Sequence, residues 1–253
     1  MNFNELAEIV DDAAMNCKPT QQLSEHHTFS EDDAYKIQQV SIARRLDRGE
    51  SFIGLKMGFT SKAKMIQMGV NDLIWGRLTS TMNIKNGDSI DLNKFIHPRA
   101  EPEVCFLVKQ DITTEVALED VGEYIEAIAP AIEIIDSRYK DFKFSLEDVI
   151  ADNCSSAGLI IGDWKELPND IADLKIELKI DNEVVEEGST ANILGNPLLS
   201  FVDATRLAVK YEQPIYKGNY IMAGSATAAK YLASGQHVKA IVEGLGEVEF
   251  KVK

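Results

Sequence analysis

Glu101 and Glu103 stand two residues apart in "RAEPEVCFLV" (99–108), at the head of an apolar run that reads as a buried strand. Residues i and i+2 of a strand share a face, so these carboxylates repel where little solvent can screen them. Glu133 and Asp136, in "AIEIIDSRYKDFKF", occupy a similarly apolar setting. Carboxylates are seldom fully buried unless paired or bound to metal. Converging carboxylates suit a hard divalent cation, and the absence of any CxxC or Cys/His metal spacing favours Mg²⁺ or Mn²⁺ over Zn²⁺. The alternative is local pairing with Arg99, Arg138 or Lys140. By spacing alone that is the simpler reading, since E-x-E recurs by chance in any acidic chain.

Two further stretches carry chemical potential. Lys56 interrupts the apolar, glycine-flanked "FIGLKMGFTS". Its ammonium either snorkels to water or enters a pocket, where it attracts an anion or moves protons. "IMAGSATAA" (221–229) offers backbone amides and the hydroxyls of Ser225 and Thr227; it is either a cradle for a carboxylate or a tight turn. Cys154, in the polar "DNCSS", is near a site or simply packed, and Cys105 is a small core residue. His26, His27 and His237 have surface roles, and His97, before Pro98, a local hydrogen-bonding role. No G-x-S-x-G elbow is present.

The elements that must position these residues change character along the chain. Residues 1–50 read as helices: Leu6, Ile9, Val10 and Ala13 recur at helical spacing, and Ser30 caps a second helix with Ile37, Val40 and Leu46 on its buried side. After Gly54, short apolar runs alternate with turn signals at 85–88, 181–184 and 243–247. "LKIELKI" (174–180) and "VEFKV" (248–252) alternate as half-exposed strands. Helical patches are expected at 60–69, 121–133 and 200–212. The fold class is α+β, with a small helical N-terminal region (1–50) on a strand-rich mixed body (51–253).

Composition sets the outer bounds. With 26 basic and 41 acidic residues among 253, the net charge of −15 argues against nucleic acid as a partner. No apolar run approaches membrane-spanning length. Acidic residues inside the first apolar stretch exclude a signal peptide. Three widely spaced cysteines fit free thiols in a reducing, cytoplasmic setting.

"GLKMGFTSKAKMIQMGV", "HPRAEPEVCFLV", "AIEIIDSRYKDFKFSLEDVIADNCSS", "ILGNPL" and "IMAGSATAA" together resemble the 2-keto-4-pentenoate hydratase / 4-oxalocrotonate decarboxylase family, within the fumarylacetoacetate-hydrolase superfamily. The blocks keep their order from about residue 28 to the end. The resemblance implies Mg²⁺ (or Mn²⁺) on Glu101, Glu103 and Glu133, and Lys56 in the active site. It implies Ser155 and Thr227 at the substrate, with Asp136 and Arg138 as support. Hydratases of the family usually carry an aspartate in a Pro-Asp-Phe-Gly segment; here "LIWG" (73–76) places Ile74 there, with Trp75 beside it. An apolar residue at that point resembles the decarboxylase branch. The resemblance therefore implies loss of CO₂ from 2-oxohex-3-enedioate, a small 2-oxo dicarboxylic acid, with hydration of 2-hydroxypenta-2,4-dienoate as the alternative. A non-enzymatic acidic oligomer holding a structural ion is the more distant one. It also implies a homo-oligomer and association with a partner hydratase. Segment 60–76 is the candidate lid.

Overall fold

The computed structural model describes residues 1–61, 65 and 72–253; the helical patch expected at 60–69 and the lid expected at 60–76 lie for the most part outside them. Two helices open the chain. α1 (Phe3–Asn16) is capped by Asn2 and buries Leu6, Val10 and Ala13. α2 (Glu31–Asp47) begins at a capping box, in which Ser30 and Asp33 satisfy each other's backbone N–H groups. Ile37 is buried on α2, but Leu46 is exposed, as is Ile9 on α1. The seam between the helices is polar there: buried Asp11 accepts from both Arg44 and Arg48, which displaces the expected apolar stripe.

The strands form two sheets. The first contains β1 (Phe52–Gly58), β2 (Ile74–Thr79) and β3 (Asn83–Ile84). After β4 (Ser89–Ile90), which belongs to the second sheet, come β5 (Arg99–Val108), β6 (Ile125–Ile135) and β7 (Ser156–Ile161). The second sheet continues with β8 (Lys175–Ile180) and β9 (Glu183–Ser189). The chain then returns to the first sheet with β10 (Tyr220–Met222) and β11 (Lys230–Tyr231), and ends in the second with β12 (His237–Val242) and β13 (Gly246–Val252). The first sheet runs β2-β1-β10-β5-β6-β7-β3, with β11 pairing β5; the second runs β4-β13-β12-β8-β9. The expected turn at 85–88 falls between strands, whereas those expected at 181–184 and 243–247 are confined to 181–182 and 243–245, their last two residues opening β9 and β13. The α+β class holds.

The stretch 121–133, expected to be helical, is helical only over Val121–Tyr124 and continues as β6. That strand is buried on both faces along most of its length, so its sequence lacks polar–apolar alternation. Its alanines imitate a helix former, although Pro130 would interrupt a helix.

Strand parity decides where the charges go. Ala100 of β5 and Ile132 and Ile134 of β6 pack between the sheets with Leu178, Val238, Val248 and Phe250. Further along β5, on that same face, Phe106 meets Phe201 edge to face, on the helix α4 (Pro197–Lys210), which follows the short α3 (Leu146–Ala151). Glu101, Glu103 and Glu133 alternate with these apolar residues and therefore project from the opposite face.

Candidate active site

In the antiparallel pair β5–β6, Glu101 lies directly opposite Glu133, with Glu103 two residues along the same face. One carboxylate oxygen from each lies within 4.8 Å of the others. All three side chains are buried, Glu103 and Glu133 completely. A Gly224 N–H donates to Glu103 Oε2 at 2.8 Å, and Ser156 Oγ donates to Glu133 Oε1 at 3.1 Å. Glu103 Oε1 is buried with no hydrogen-bond partner among the described residues.

Of the local bases proposed as partners, Arg138 is committed elsewhere, and neither Arg99 nor Lys140 forms an ion pair with the cluster among the described residues. Arg138 pairs with Asp152 and donates to the Asp136 carbonyl. The Asp136 carboxylate accepts the N–H groups of Ile96 and His97, and so fixes the turn that leads into β5. Among the described residues the cation beside the cluster is Lys56, whose Nζ lies 2.9 Å from Glu133 Oε2 and donates to Cys154 O at 3.1 Å. It comes from β1, which is separated from β5 by β10 alone.

One ammonium does not neutralise three carboxylates. Burial, and after it the neighbouring Glu133 and Glu101, push Glu103 well above the usual carboxylate range. Burial likewise pushes Glu133 up, to about 7, against the pull of Lys56. Burial opposes the charge on Lys56, yet the surrounding carboxylates, Glu133 first, outweigh it and hold the ammonium above its ordinary value. An orphaned oxygen and an oxygen-only donor set fit a hard divalent cation such as Mg²⁺ or Mn²⁺.

The cluster opens onto a cavity of about 490 Å³, lined by Lys56, Ile74, Arg99, Glu101, Cys154, Ser155 and Ser225 together with Met57, Phe142, Phe144 and Val149. Asn153, Cys154 and Ser155 are three successive residues with φ of 51°, 52° and 58°, a left-handed run that non-glycine residues rarely adopt. The Asn153 side chain holds it by accepting from the Arg77 N–H and donating to the Arg77 carbonyl, at 2.7 and 2.8 Å. The result aims Cys154 O at Lys56 and places Ser155 in the cavity wall. Ser155 Oγ is buried and lacks a partner among the described residues.

Two expected substrate contacts are not brought to the cavity. Trp75 follows Ile74 on β2, so its side chain takes the opposite face; it stacks with Tyr35 at 5.6 Å, and Arg77 lies 4.4 Å over its ring. Thr227 is not in the wall either: its Oγ1 donates to Ala228 O, while Ser225 faces the cavity. The loop expected to cradle a carboxylate binds one of the chain's own, Glu103, through Gly224. Arg99 and Phe142 are in the wall without having been singled out for it, and Cys154, read as near a site or simply packed, lines it too. The signal for Arg99 was its parity with Glu101 and Glu103.

A family model for the fumarylacetoacetate (FAA) hydrolase C-terminal domain matches residues 57–253. The chain belongs to the fumarylacetoacetate hydrolase family. Within it, the chain is 46% identical over 250 residues to a 4-oxalocrotonate decarboxylase from Pseudomonas sp., covering 99% of this chain and 98% of that one. A 2-keto-4-pentenoate hydratase from Burkholderia vietnamiensis is 33% identical over 221 residues, covering 85% and 83%. In three dimensions the chain resembles 4-oxalocrotonate decarboxylase from Pseudomonas putida, solved with magnesium and adipate: the TM-score is 0.95 at 35% identity, over 99% of this chain and 97% of that one. The family fold expected from the sequence blocks is the fold observed.

Proposed function

We propose that the chain is a Mg²⁺-dependent decarboxylase that removes CO₂ from 4-oxalocrotonate (2-oxohex-3-enedioate) to leave 2-oxopent-4-enoate or its enol, 2-hydroxypenta-2,4-dienoate. The observation that carries the reading is the convergence of Glu101, Glu103 and Glu133 beside a cavity whose wall has Ile74, and no acid, at the hydratase position. Likeness to decarboxylases over nearly the full chain supports it.

Glu101, Glu103 and Glu133 would hold the ion, which supplies a Lewis acid for the 2-oxo acid end of the substrate. Lys56 adds a fixed positive charge where negative charge develops on the C2 oxygen, and it is placed to pass a proton to the product. Ser155 donates a hydrogen bond to the substrate. Ile74, with Phe144 and Val149, keeps the wall apolar and offers no group that could position a water for addition. Trp75 backs this layer through its stacking on Tyr35. A cytoplasmic homo-oligomer that passes its product to a partner hydratase belongs to the same reading.

The test uses purified protein and Mg²⁺ with 2-hydroxymuconate (plus a tautomerase to supply the keto form) and, separately, 2-hydroxypenta-2,4-dienoate. CO₂ release from the first, abolished by Glu103→Gln, is the expected result. Loss of the dienoate's ultraviolet band without CO₂ from the first would make the protein a hydratase. Co-elution on size-exclusion chromatography tests the assembly.

A further inference from the structure

Arg99 enters β5 two residues before Glu101 and lines the same cavity. Its guanidinium lies over two rings, with Cζ 3.9 Å from the Phe142 centroid and 4.1 Å from that of Tyr231, and it donates to the Tyr231 hydroxyl. Nε is buried and makes no hydrogen bond among the described residues. Those residues include every Asp and Glu of the chain, and no carboxylate among them forms an ion pair with Arg99. By contrast Arg138, also on this side of the molecule, is satisfied by Asp152 and backbone carbonyls. Phe142 is positioned at a cost: it and Asp141 have φ of 57° and 58°, a conformation rare for a bulky residue and found where surrounding structure enforces it.

A planar fork stacked on aromatic faces, with donors to spare and no acid, is a receptor for a carboxylate. Distance adds the second constraint. Residues i and i+2 of a strand lie about 7 Å apart, and the end carboxyl carbons of an extended six-carbon diacid lie roughly 6 Å apart by standard bond lengths. We propose that Arg99, clamped by Phe142 and Tyr231, is the specificity residue that binds the remote carboxylate of a dicarboxylate whose 2-oxo acid end lies at Glu101, Glu103 and Glu133. This rests on the decarboxylase reading and deepens it, because it separates six-carbon diacids from monocarboxylic 2-oxo acids that fill the rest of the cavity. Its role is to bind and orient. A cation that stays on the departing carboxylate opposes its loss, so Arg99 acts on capture of the diacid more than on bond breaking.

The experiment compares adipate with 2-oxopentanoate as calorimetric ligands of the Mg²⁺-loaded protein, unaltered and as Arg99→Met and Arg99→Lys. Loss of a charge-assisted pair predicts adipate binding weaker by about 10- to 100-fold in Arg99→Met, with 2-oxopentanoate within about twofold. Arg99→Lys keeps the charge and loses the fork and its stacking, so it falls between; it also carries the test if the methionine variant does not fold. In steady state the diacid's KM rises by the same factor while kcat stays within about threefold. Equal weakening of both ligands, or no change in either, overturns the assignment. Failure of the unaltered protein to bind either ligand with Mg²⁺ overturns the decarboxylase reading itself, and this proposal with it.

Discussion

Glu101 and Glu133 are a directly opposed pair across β5 and β6, two like charges where a sheet ordinarily places complementary or apolar partners. With Glu103 beside them they form a buried cluster that, among the described residues, carries one ammonium against three carboxylates. The arrangement is unfavourable for the metal-free fold and favourable for a bound cation. Glu103→Gln therefore separates the two. It replaces a buried acid, which must take up a proton or stay charged among other carboxylates, with a neutral amide that keeps an acceptor for the Gly224 N–H, and should raise metal-free stability by about 1–3 kcal/mol. Mg²⁺ binding and CO₂ release should collapse together. Thermal melts with and without Mg²⁺ read both signs, and a lower metal-free melting temperature would show that the glutamate is stabilising as it stands.

The pH dependence follows from the same cluster. Glu103 and Glu133 have folded pKa values above their unfolded ones, Glu133 at about 7. Protonation thus favours the metal-free fold, and that stability is lost as pH rises from the ordinary glutamate range through about 7. Mg²⁺ needs the ionised forms, so protons compete with it below that point. The rise in melting temperature on adding Mg²⁺ should be larger at pH 8 than at pH 5.5. A pH-independent rise would place the ion elsewhere.

Lys56 competes with the ion for Glu133, being 2.9 Å from Oε2. In Lys56→Met, Mg²⁺ affinity should tighten, by up to roughly tenfold, while kcat falls at least about 100-fold. Calorimetry and CO₂ assays on one preparation check both. Weaker Mg²⁺ binding would mean that the ammonium orients Glu133 rather than opposing the ion.

Gly224 couples the loop at 223–229 to the metal cluster. Its φ is +99°, and a Cβ there would lie 2.2 Å from Thr60 Oγ1. Gly224→Ala should cost about 2 kcal/mol or more and shift the amide away from Glu103. Chemical denaturation should show the loss even with excess Mg²⁺. Unchanged stability would mean that Thr60 yields freely.

The carboxylates and Lys56 were legible because charge inside an apolar run is conspicuous in any sequence. Their convergence was not, since it depends on the register of β5 with β6 and on β10 lying between β1 and β5. Strand β6 was misread because burial on both faces erases alternation. Trp75 was expected beside Ile74 at the substrate, yet neighbours on a strand face opposite ways; Trp75 belongs with Tyr35 and Tyr211. Ser155 emerged from the family resemblance alone, because nothing in "DNCSS" announces three left-handed residues in succession. Arg99 stayed unremarked in its cavity role for a different reason: the rings that hold it come from positions 142 and 231, far along the chain.

The alternation of β5 and β6 also governs how this protein can diverge. Deleting or inserting one residue inside either strand would exchange Glu101 and Glu103 with Ala100 and Pro102, or Glu133 with Ile132, and drive acids between the two sheets. Such an event abolishes binding and folding together, so it leaves no viable intermediate for selection to improve. Length changes are tolerable in the turns at 85–88, 181–182 and 243–245, none of which contributes a residue to the cavity wall. New substrate ranges within this lineage should therefore arise by side-chain exchange at positions such as 74, 99 and 142, on a strand frame whose length is held constant.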